Sequence, residues 1–207
     1  MKKYRILLMS LIATLIILFS SFYKVSAAGE RYTLFPGNNR MSSAPYNKYY
    51  YYDGGISGIA YNSGVEGAFT SWSNTSNTYI WMMHTSKQSS SIVDVHSVNI
   101  SDANILGQTW FMNGSTQISP YSGTRWYWAK IEMNINGNWT VNNGTTSANN
   151  VFKASVAHEI GHAFGLDHSI YEDTLMYDNV IFATKYNIFG PTAAEVAGVQ
   201  TLYGKRY

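Results

Sequence analysis

Three of the five histidines in this 207-residue sequence fall close together, within the stretch 158–168, which has the sequence HEIGHAFGLDH. On an α-helix, side chains four residues apart lie on the same face, so His158 and His162 can bind one ion. Glu159 lies one step further round the helix, near such an ion but not among its ligands. A general base for an activated water belongs in that place. The spacing therefore predicts a catalytic metal site.

Gly165 and His168 complete this pattern. Glycine adopts the left-handed conformation that ends a helix in a sharp turn, so Gly165 is expected to end the helix. The turn can bring His168 back as a third ligand. Three neutral imidazole nitrogens leave one tetrahedral position of Zn²⁺ open for water, as in catalytic sites. The alternative is that these are surface histidines on an ordinary helix. It is disfavoured, because the five residue types of the motif, at positions 158, 159, 162, 165 and 168, occur together by chance in roughly one chain in 10⁵ of this length.

The motif resembles the zinc-binding sequence of the metzincin peptidases, and two details resemble one branch of them, the matrixins. Ser169 follows the third histidine, and Leu175-Met176-Tyr177 resembles the matrixin Met-turn beneath the metal. The resemblance implies that Met176 forms a hydrophobic floor and does not bind the metal. Astacins and serralysins have a tyrosine ligand two residues after this methionine, whereas this sequence has Asp178 there.

Asp178 also departs from the matrixin pattern. In that family a proline usually follows the tyrosine of the Met-turn, and it shapes one wall of the pocket for the substrate side chain on the leaving-group side. Asp178 takes that place here. The resemblance therefore leaves the depth and the side-chain preference of this pocket undecided.

The resemblance implies a secreted zinc-dependent endopeptidase that cuts a protein or peptide substrate. His158, His162 and His168 would bind one catalytic Zn²⁺. Glu159 would take a proton from a metal-activated water and return it to the departing amine. This mechanism needs no serine or cysteine nucleophile. A monomer is the default expectation.

Further metal ions are a separate question. Matrixins also carry a structural zinc and calcium ions, but their histidine and aspartate pattern is not matched around His84, Asp94 and His96. Calcium bound by backbone carbonyls leaves little trace in a sequence. A Ca²⁺ site therefore stays open.

The remaining segments predict an α+β domain that would position the histidines. Apolar residues at three- and four-residue steps predict helices from Ile56 to Trp72 and over 192–203. The resemblance covers residues 48–204 and implies a metzincin, or zincin-like, fold. That fold is a twisted, mostly parallel five-stranded sheet with an active-site helix, a backing helix and a C-terminal helix. We assign residues 46–207 to this catalytic domain. The strands are expected at 49–52, 78–83, 92–100, 108–113 and 126–135.

The sequence also predicts where two helices begin. Asn149 or Asn150 is expected to cap the active-site helix. The segment 192–195, TAAE, is a capping box for the last helix, which Gly204 ends. Apolar residues at helical spacing are expected to face the core: Phe152, Val156, Ile160 and Ala163 on the first helix, and Val196, Val199, Leu202 and Tyr203 on the second.

Residues 1–27 have the pattern of a signal peptide. Basic residues precede an apolar run from Ile6 to Phe19, and small residues at 25–27 allow cleavage after Ala27 or Ala28. The protein is then secreted and extracellular, without stable membrane association. An uncleaved anchor that retains it at the cell surface stays open as the alternative. After cleavage, the basic residues fall from fourteen to ten against twelve acidic ones, so no basic surface indicates nucleic-acid binding.

Residues 28–45 form either an N-terminal arm or a short pro-segment in which a carboxylate such as that of Glu30 blocks the metal. The chain contains no cysteine, which excludes disulfides and the cysteine-switch segment of many matrixins. A secreted chain without cysteine suits a bacterial source.

A rival hypothesis from another class is a secreted glycan-binding protein with a purely structural zinc. It would use the aromatic residues Trp110, Trp126 and Trp128 as a binding surface. An acid beside an open metal site has no purpose in such a protein. Glu159 therefore favours the peptidase.

Overall fold

The computed structural model describes residues 30–140 and 146–207. The predicted signal peptide, residues 1–27, lies outside the described residues, as do residues 141–145. Within the described ranges, no helix combines the length and the apolar character needed to span a lipid bilayer.

A six-stranded sheet forms one layer of the fold. The strands in chain order are β1 (Thr33–Leu34), β2 (Tyr46–Asp53), β3 (Trp81–His84), β4 (Val93–Val98), β5 (Gly107–Asn113), β6 (Thr116–Ile118), β7 (Trp128–Asn134) and β8 (Leu166–Asp167). The large sheet has the order β3-β2-β4-β7-β5-β6, while β1 and β8 pair separately. The pairs from β3 to β7 are parallel, and those from β7 to β6 are antiparallel. The predicted mostly parallel sheet is confirmed.

The sixth strand, β6, was not predicted. Its three residues are too few to show an alternating pattern, and it joins β5 through a two-residue turn that begins at Gly114. Gly114 has a φ of 60°, which favours glycine at such a turn. The antiparallel hairpin extends the sheet at one end of β5 only.

The described residues also form four α-helices: α1 (Tyr61–Ser73), α2 (Ala148–Phe164), α3 (Ile181–Thr184) and α4 (Ala193–Tyr203). α1 is the backing helix, α2 carries the first two histidines of the motif, and α4 is the C-terminal helix. α1 packs against α2, and α2 packs against β5 and β7. Gly64 of α1 permits this close approach, because a Cβ there would lie 2.5 Å from Cδ1 of Phe152.

Two buried tryptophans donate hydrogen bonds to backbone carbonyl groups of α2. Nε1 of Trp72 donates to the carbonyl oxygen of Ala157 at 2.9 Å, and Nε1 of Trp126 donates to that of Ala163 at 2.8 Å. Both side chains are fully buried, so each indole N–H finds its partner inside the core. The placement of Trp126 on a glycan-binding surface is therefore wrong.

The capping residue of α2 also differs from the prediction. Oγ of Ser147 accepts a hydrogen bond from the backbone N–H of Asn150 at 3.3 Å, so Ser147 is the N-cap. Oδ1 of Asn149 instead accepts one from the backbone N–H of Ala60 at 2.8 Å and joins α2 to the start of α1. Serine and asparagine cap about equally well, so their order in a Ser-Ala-Asn-Asn run does not identify the cap. The capping box at Thr192 is confirmed.

Part of the lead-in segment packs into the fold. β1 pairs antiparallel with β8, with Thr33 opposite Asp167 and Leu34 opposite Leu166. Phe35 and Met41 are buried. The segment from Thr33 to Met41 therefore lies beside the short strand that connects the second and third histidines of the motif.

Candidate active site

The three histidines of the motif converge at one place. His158 and His162 project from α2, and His168 directly follows β8. The ring centroids are 4.7 Å apart for His158 and His162, 4.6 Å for His162 and His168, and 5.2 Å for His158 and His168. One nitrogen from each ring lies within 4.8 Å of the other two. In the part of the chain that the structure describes, no other group of three or more histidine or acidic side chains can hold one ion in this way.

Gly165 makes the turn that brings His168 back to α2. Its φ is 111°, and its N–H donates to the carbonyl oxygen of His162 at 2.9 Å. A Cβ at this position would lie 2.9 Å from the carbonyl oxygen of Asn39, because the lead-in segment passes close by. Both the left-handed backbone and the lack of space therefore require glycine.

Two backbone carbonyls orient the buried imidazoles. Nδ1 of His158 lies 2.8 Å from the carbonyl oxygen of Leu175, and Nδ1 of His162 lies 2.9 Å from that of Leu166. A carbonyl can only accept, so each Nδ1 donates its hydrogen. The lone pair of each Nε2 then remains available for a metal. Nε2 of His162 lies 3.1 Å from Nε2 of His168.

Burial keeps the first two imidazoles neutral at physiological pH. Burial lowers the pKa of His158 to about 4, and the nearby His168 adds to this effect. Burial also lowers the pKa of His162 well below its usual value, with further contributions from His158 and His168. Only a neutral imidazole can offer its lone pair to a metal. Three imidazole rings, two of which have their tautomer set by backbone carbonyl groups, match the donor set of a catalytic Zn²⁺, so the residues fit this ion.

Glu159 faces β5 from the same helix. Oγ1 of Thr109 lies 2.8 Å from Oε2 of Glu159 and 3.0 Å from its carbonyl oxygen, so the hydroxyl donates to this residue. Burial raises the pKa of Glu159 to about 7, and the hydrogen bond from Thr109 opposes that rise. A carboxyl group with a pKa near neutrality can both take up and release a proton.

Met176 lies beneath the helix that carries the histidines. The side chain is buried, and its sulfur packs against Gly161, where a Cβ would collide with it. The backbone N–H of Met176 donates to Oε1 of Glu195 at 3.2 Å. Oε2 of the same carboxylate accepts from the backbone N–H of Thr192 at 2.8 Å. Glu195, which belongs to the capping box of α4, therefore also holds the Met-turn.

Two adjoining hollows flank these groups and share Gly107, Glu159 and His168. The larger has a volume of about 480 Å³ and lies between the loop at 103–107 and the segment 177–182. The smaller has a volume of about 290 Å³ and extends towards Tyr121. A peptide bound across both hollows would pass Glu159 and His168.

Asn134 holds one wall of the larger hollow, and its side chain is fully buried. Nδ2 of Asn134 donates to the carbonyl oxygens of Asp102 and Ile105 at 3.0 and 2.8 Å. Its Oδ1 accepts from the backbone N–H groups of Ile100 and Asn136 at 3.1 and 2.9 Å. One amide thus closes the loop between β4 and β5.

The roles of Thr109, Asn134 and Glu195 could not be predicted from the sequence. Thr109 meets Glu159 across 50 residues, Asn134 meets Asp102 across 32, and Glu195 meets Met176 across 19. Only Glu195 belonged to a recognisable pattern, the capping box. That pattern explains its bond to Thr192 but not its bond to the Met-turn.

The two remaining histidines lie apart from the triad. The ring of His84 stacks on Tyr52 with 4.7 Å between centroids. Nδ1 of His96 lies 2.6 Å from Oδ1 of Asp53. Neither imidazole joins the three histidines around α2.

Comparison with known proteins agrees with this geometry. The sequence matches the family model for matrixin over residues 49–204. It is 48% identical to mouse matrix metalloproteinase-19 over 50 residues, which are 24% of this chain and 9% of that protein. It is 38% identical to rat stromelysin-2 over 60 residues, which are 29% of this chain and 12% of that protein. The chain thus matches only a small part of the length of these relatives. Because the family match spans most of the sequence and includes the histidine triad and the Met-turn, the chain belongs to the matrixin family, whose members are zinc metalloendopeptidases.

Proposed function

We propose that this protein is a secreted zinc endopeptidase in which His158, His162 and His168 hold the catalytic Zn²⁺. The main support is the convergence of three histidines and one buried carboxyl group around two adjoining hollows. Zn²⁺, when bound, acts as a Lewis acid that makes a water more acidic and polarises the scissile carbonyl. Residues 1–27 serve as the signal peptide, and residues 46–207 form the catalytic domain of an extracellular monomer.

Glu159 carries the proton in this mechanism. Its carboxylate takes a proton from the attacking water and then delivers it to the departing amine. Thr109 orients the carboxyl group through the 2.8 Å hydrogen bond. Burial, which raises the pKa of Glu159, favours the uptake of this proton.

The start of β5 supplies an edge along which a substrate can align. Phe111 to Asn113 pair with β6, but among the described residues no strand pairs with 107–110 on that side. Unpaired N–H and C=O groups at a sheet edge can bind an extended peptide as an additional strand. Gly107 lines both hollows, so a peptide on this edge passes alongside Glu159.

The proposal predicts that the chain from Ala28 onward hydrolyses an unstructured protein only when it holds zinc. Removal of the metal with a chelator should lower the rate by roughly a thousandfold or more, and one equivalent of Zn²⁺ should restore it. The measurements are peptide-bond hydrolysis and zinc content per chain. His168→Ala should lose both zinc and activity.

His96→Ala is the matched control for this experiment. It removes an imidazole that bonds to Asp53 away from the triad, so zinc content and activity should both persist. One zinc per chain in a native protein that cuts no peptide bond would contradict the peptidase function.

A second prediction distinguishes an arm from an inhibitory pro-segment. Removal of residues 28–44 should lower the activity and the free energy of unfolding, because the pairing of β1 with β8 and the burial of Phe35 and Met41 are lost. The deletion also removes Arg31, which forms an ion pair with Asp173 and a cation–π contact with Tyr171. The loss of two large buried side chains costs at least about 3 kcal/mol.

The control for this deletion is a chain that starts at Arg31 and so keeps all of these contacts. Chemical unfolding and hydrolysis of the same unstructured substrate provide the measurements. A chain that becomes more active after loss of residues 28–44 would instead support an inhibitory pro-segment.

A further inference from the structure

Asp178 introduces a negative charge into the larger hollow. The titratable side chains that line this hollow are His158, Glu159, His168, Tyr177 and Asp178, without lysine or arginine. Asp178 is exposed, and within the described residues its carboxylate takes part in no hydrogen bond or ion pair. Residues 141–145, which follow the lining residue Asn138 in the chain, carry no charged side chain in their sequence. No basic group of the described lining therefore neutralises Asp178.

Apolar side chains form part of the walls of the same hollow. Ile105, Leu106, Val180 and Phe182 line it, and the ring of Phe182 stacks on that of His158 with 5.7 Å between centroids. A lysine or arginine side chain combines an apolar stem with a charged end, so it can cover such walls and still place its charge at an exposed carboxylate. The hollow therefore offers complementary surfaces to both parts of a long basic side chain.

We propose that Asp178 makes this endopeptidase select substrates with arginine or lysine next to the cleaved bond, on its C-terminal side. The inference rests on the proposed peptidase function and names its substrate class. The positive charge of a bound metal would repel a basic group near the histidines. The substrate side chain must therefore be long enough to place its charged end beyond them, at Asp178. Arginine and lysine meet this requirement.

The side of the cleaved bond follows from the direction of β5. The larger hollow lies at the start of β5, where Leu106 and Gly107 line it, and the smaller hollow extends to Phe111 further along the strand. A peptide that pairs antiparallel with β5, the more stable arrangement, has its C-terminal part at the start of the strand. The side chain that enters the larger hollow therefore follows the cleaved bond.

The test compares two peptides that differ only in arginine or citrulline at the position after the cleaved bond. Citrulline has nearly the same shape but no charge. The zinc-loaded protein should cleave the arginine peptide with a kcat/KM about fivefold higher, the effect of one partly exposed ion pair. This ratio should fall to about one in Asp178→Asn and should decrease with added salt.

Glu66→Gln is the matched control, since it removes one negative charge from the exposed side of α1 and should keep the ratio. The same two peptides should show the same ratio of Kd in zinc-loaded Glu159→Gln, which measures binding without cleavage. Cleavage with an equal arginine-to-citrulline ratio in the native chain and in Asp178→Asn would overturn the inference and leave the peptidase function intact. A native zinc-loaded chain that cuts neither peptide nor an unstructured protein would overturn the proposed function, while the Kd ratio would still decide the role of Asp178.

Discussion

Replacement of Glu159 by glutamine is expected to lower kcat by a factor of about 10³ and to leave the zinc content unchanged. Glutamine has almost the same shape as glutamate, so its side-chain oxygen can still accept the hydrogen bond from Thr109 that now reaches Oε2. It has no carboxylate to take a proton from the attacking water. The measurement is the rate of hydrolysis of an unstructured protein at saturating substrate, together with the zinc content per chain.

Glu66→Gln provides the control, because it makes the same chemical change on α1, where Glu66 accepts a hydrogen bond from Tyr52. Its kcat should remain within about twofold of the native value. Full activity of zinc-loaded Glu159→Gln would show that another group carries the proton. Loss of zinc from the variant would show that Glu159 acts on the metal site itself.

Replacement of Asn134 by alanine is expected to lower the free energy of unfolding by about 3 kcal/mol. The variant leaves two carbonyl groups and one N–H group of the loop between β4 and β5 without their partner, together with the N–H group of Asn136 after β7. It also creates a cavity, because the side chain is fully buried. Since residues 103–106 of this loop line the larger hollow, kcat/KM should fall as well. Urea unfolding of the zinc-loaded protein measures the stability.

Asn136→Ala is the matched control for Asn134→Ala. The Asn136 side chain is exposed and donates only to Oδ1 of Asn99 among the contacts of the described residues. Its free energy of unfolding should change by at most about 0.5 kcal/mol. Equal effects of the two substitutions would contradict the role of Asn134 in closing the loop.

The histidine motif shows how much of the candidate site can be predicted from a local sequence pattern. His158, Glu159 and His162 lie on one helix, and the backbone geometry of an α-helix is enough to place their side chains. Gly165 could be predicted as the end of the helix because it is a glycine at the point where the chain must turn towards His168. Most strands and helices could also be predicted, because their hydrophobic periods are local properties. The mostly parallel order of the strands was implied by the resemblance to the matrixins.

The N-cap of α2 is a feature that the local sequence pattern does not determine. Ser147 and Asn149 both have side chains that can cap a helix, and the sequence does not say which does so. The N–H of Ala60, which directly precedes α1, donates a hydrogen bond to the side chain of Asn149. Ser147 then caps the N-terminal end of α2. A contact from a distant element decided between two equal local choices.

The sequence by itself determined the metal-binding spacing, the candidate base and the positions of most strands and helices, because each depends on residues that are neighbours in the chain or on a repeating local period. Only the tertiary structure decided how the site is supported. Thr109 orients Glu159, Glu195 holds Met176, and the Asn134 amide closes the loop that walls the cleft. These hydrogen bonds join residues far apart in sequence, and their pairing depends on how strands and helices pack. No spacing along the chain can encode such contacts, so they emerge only when the core has formed.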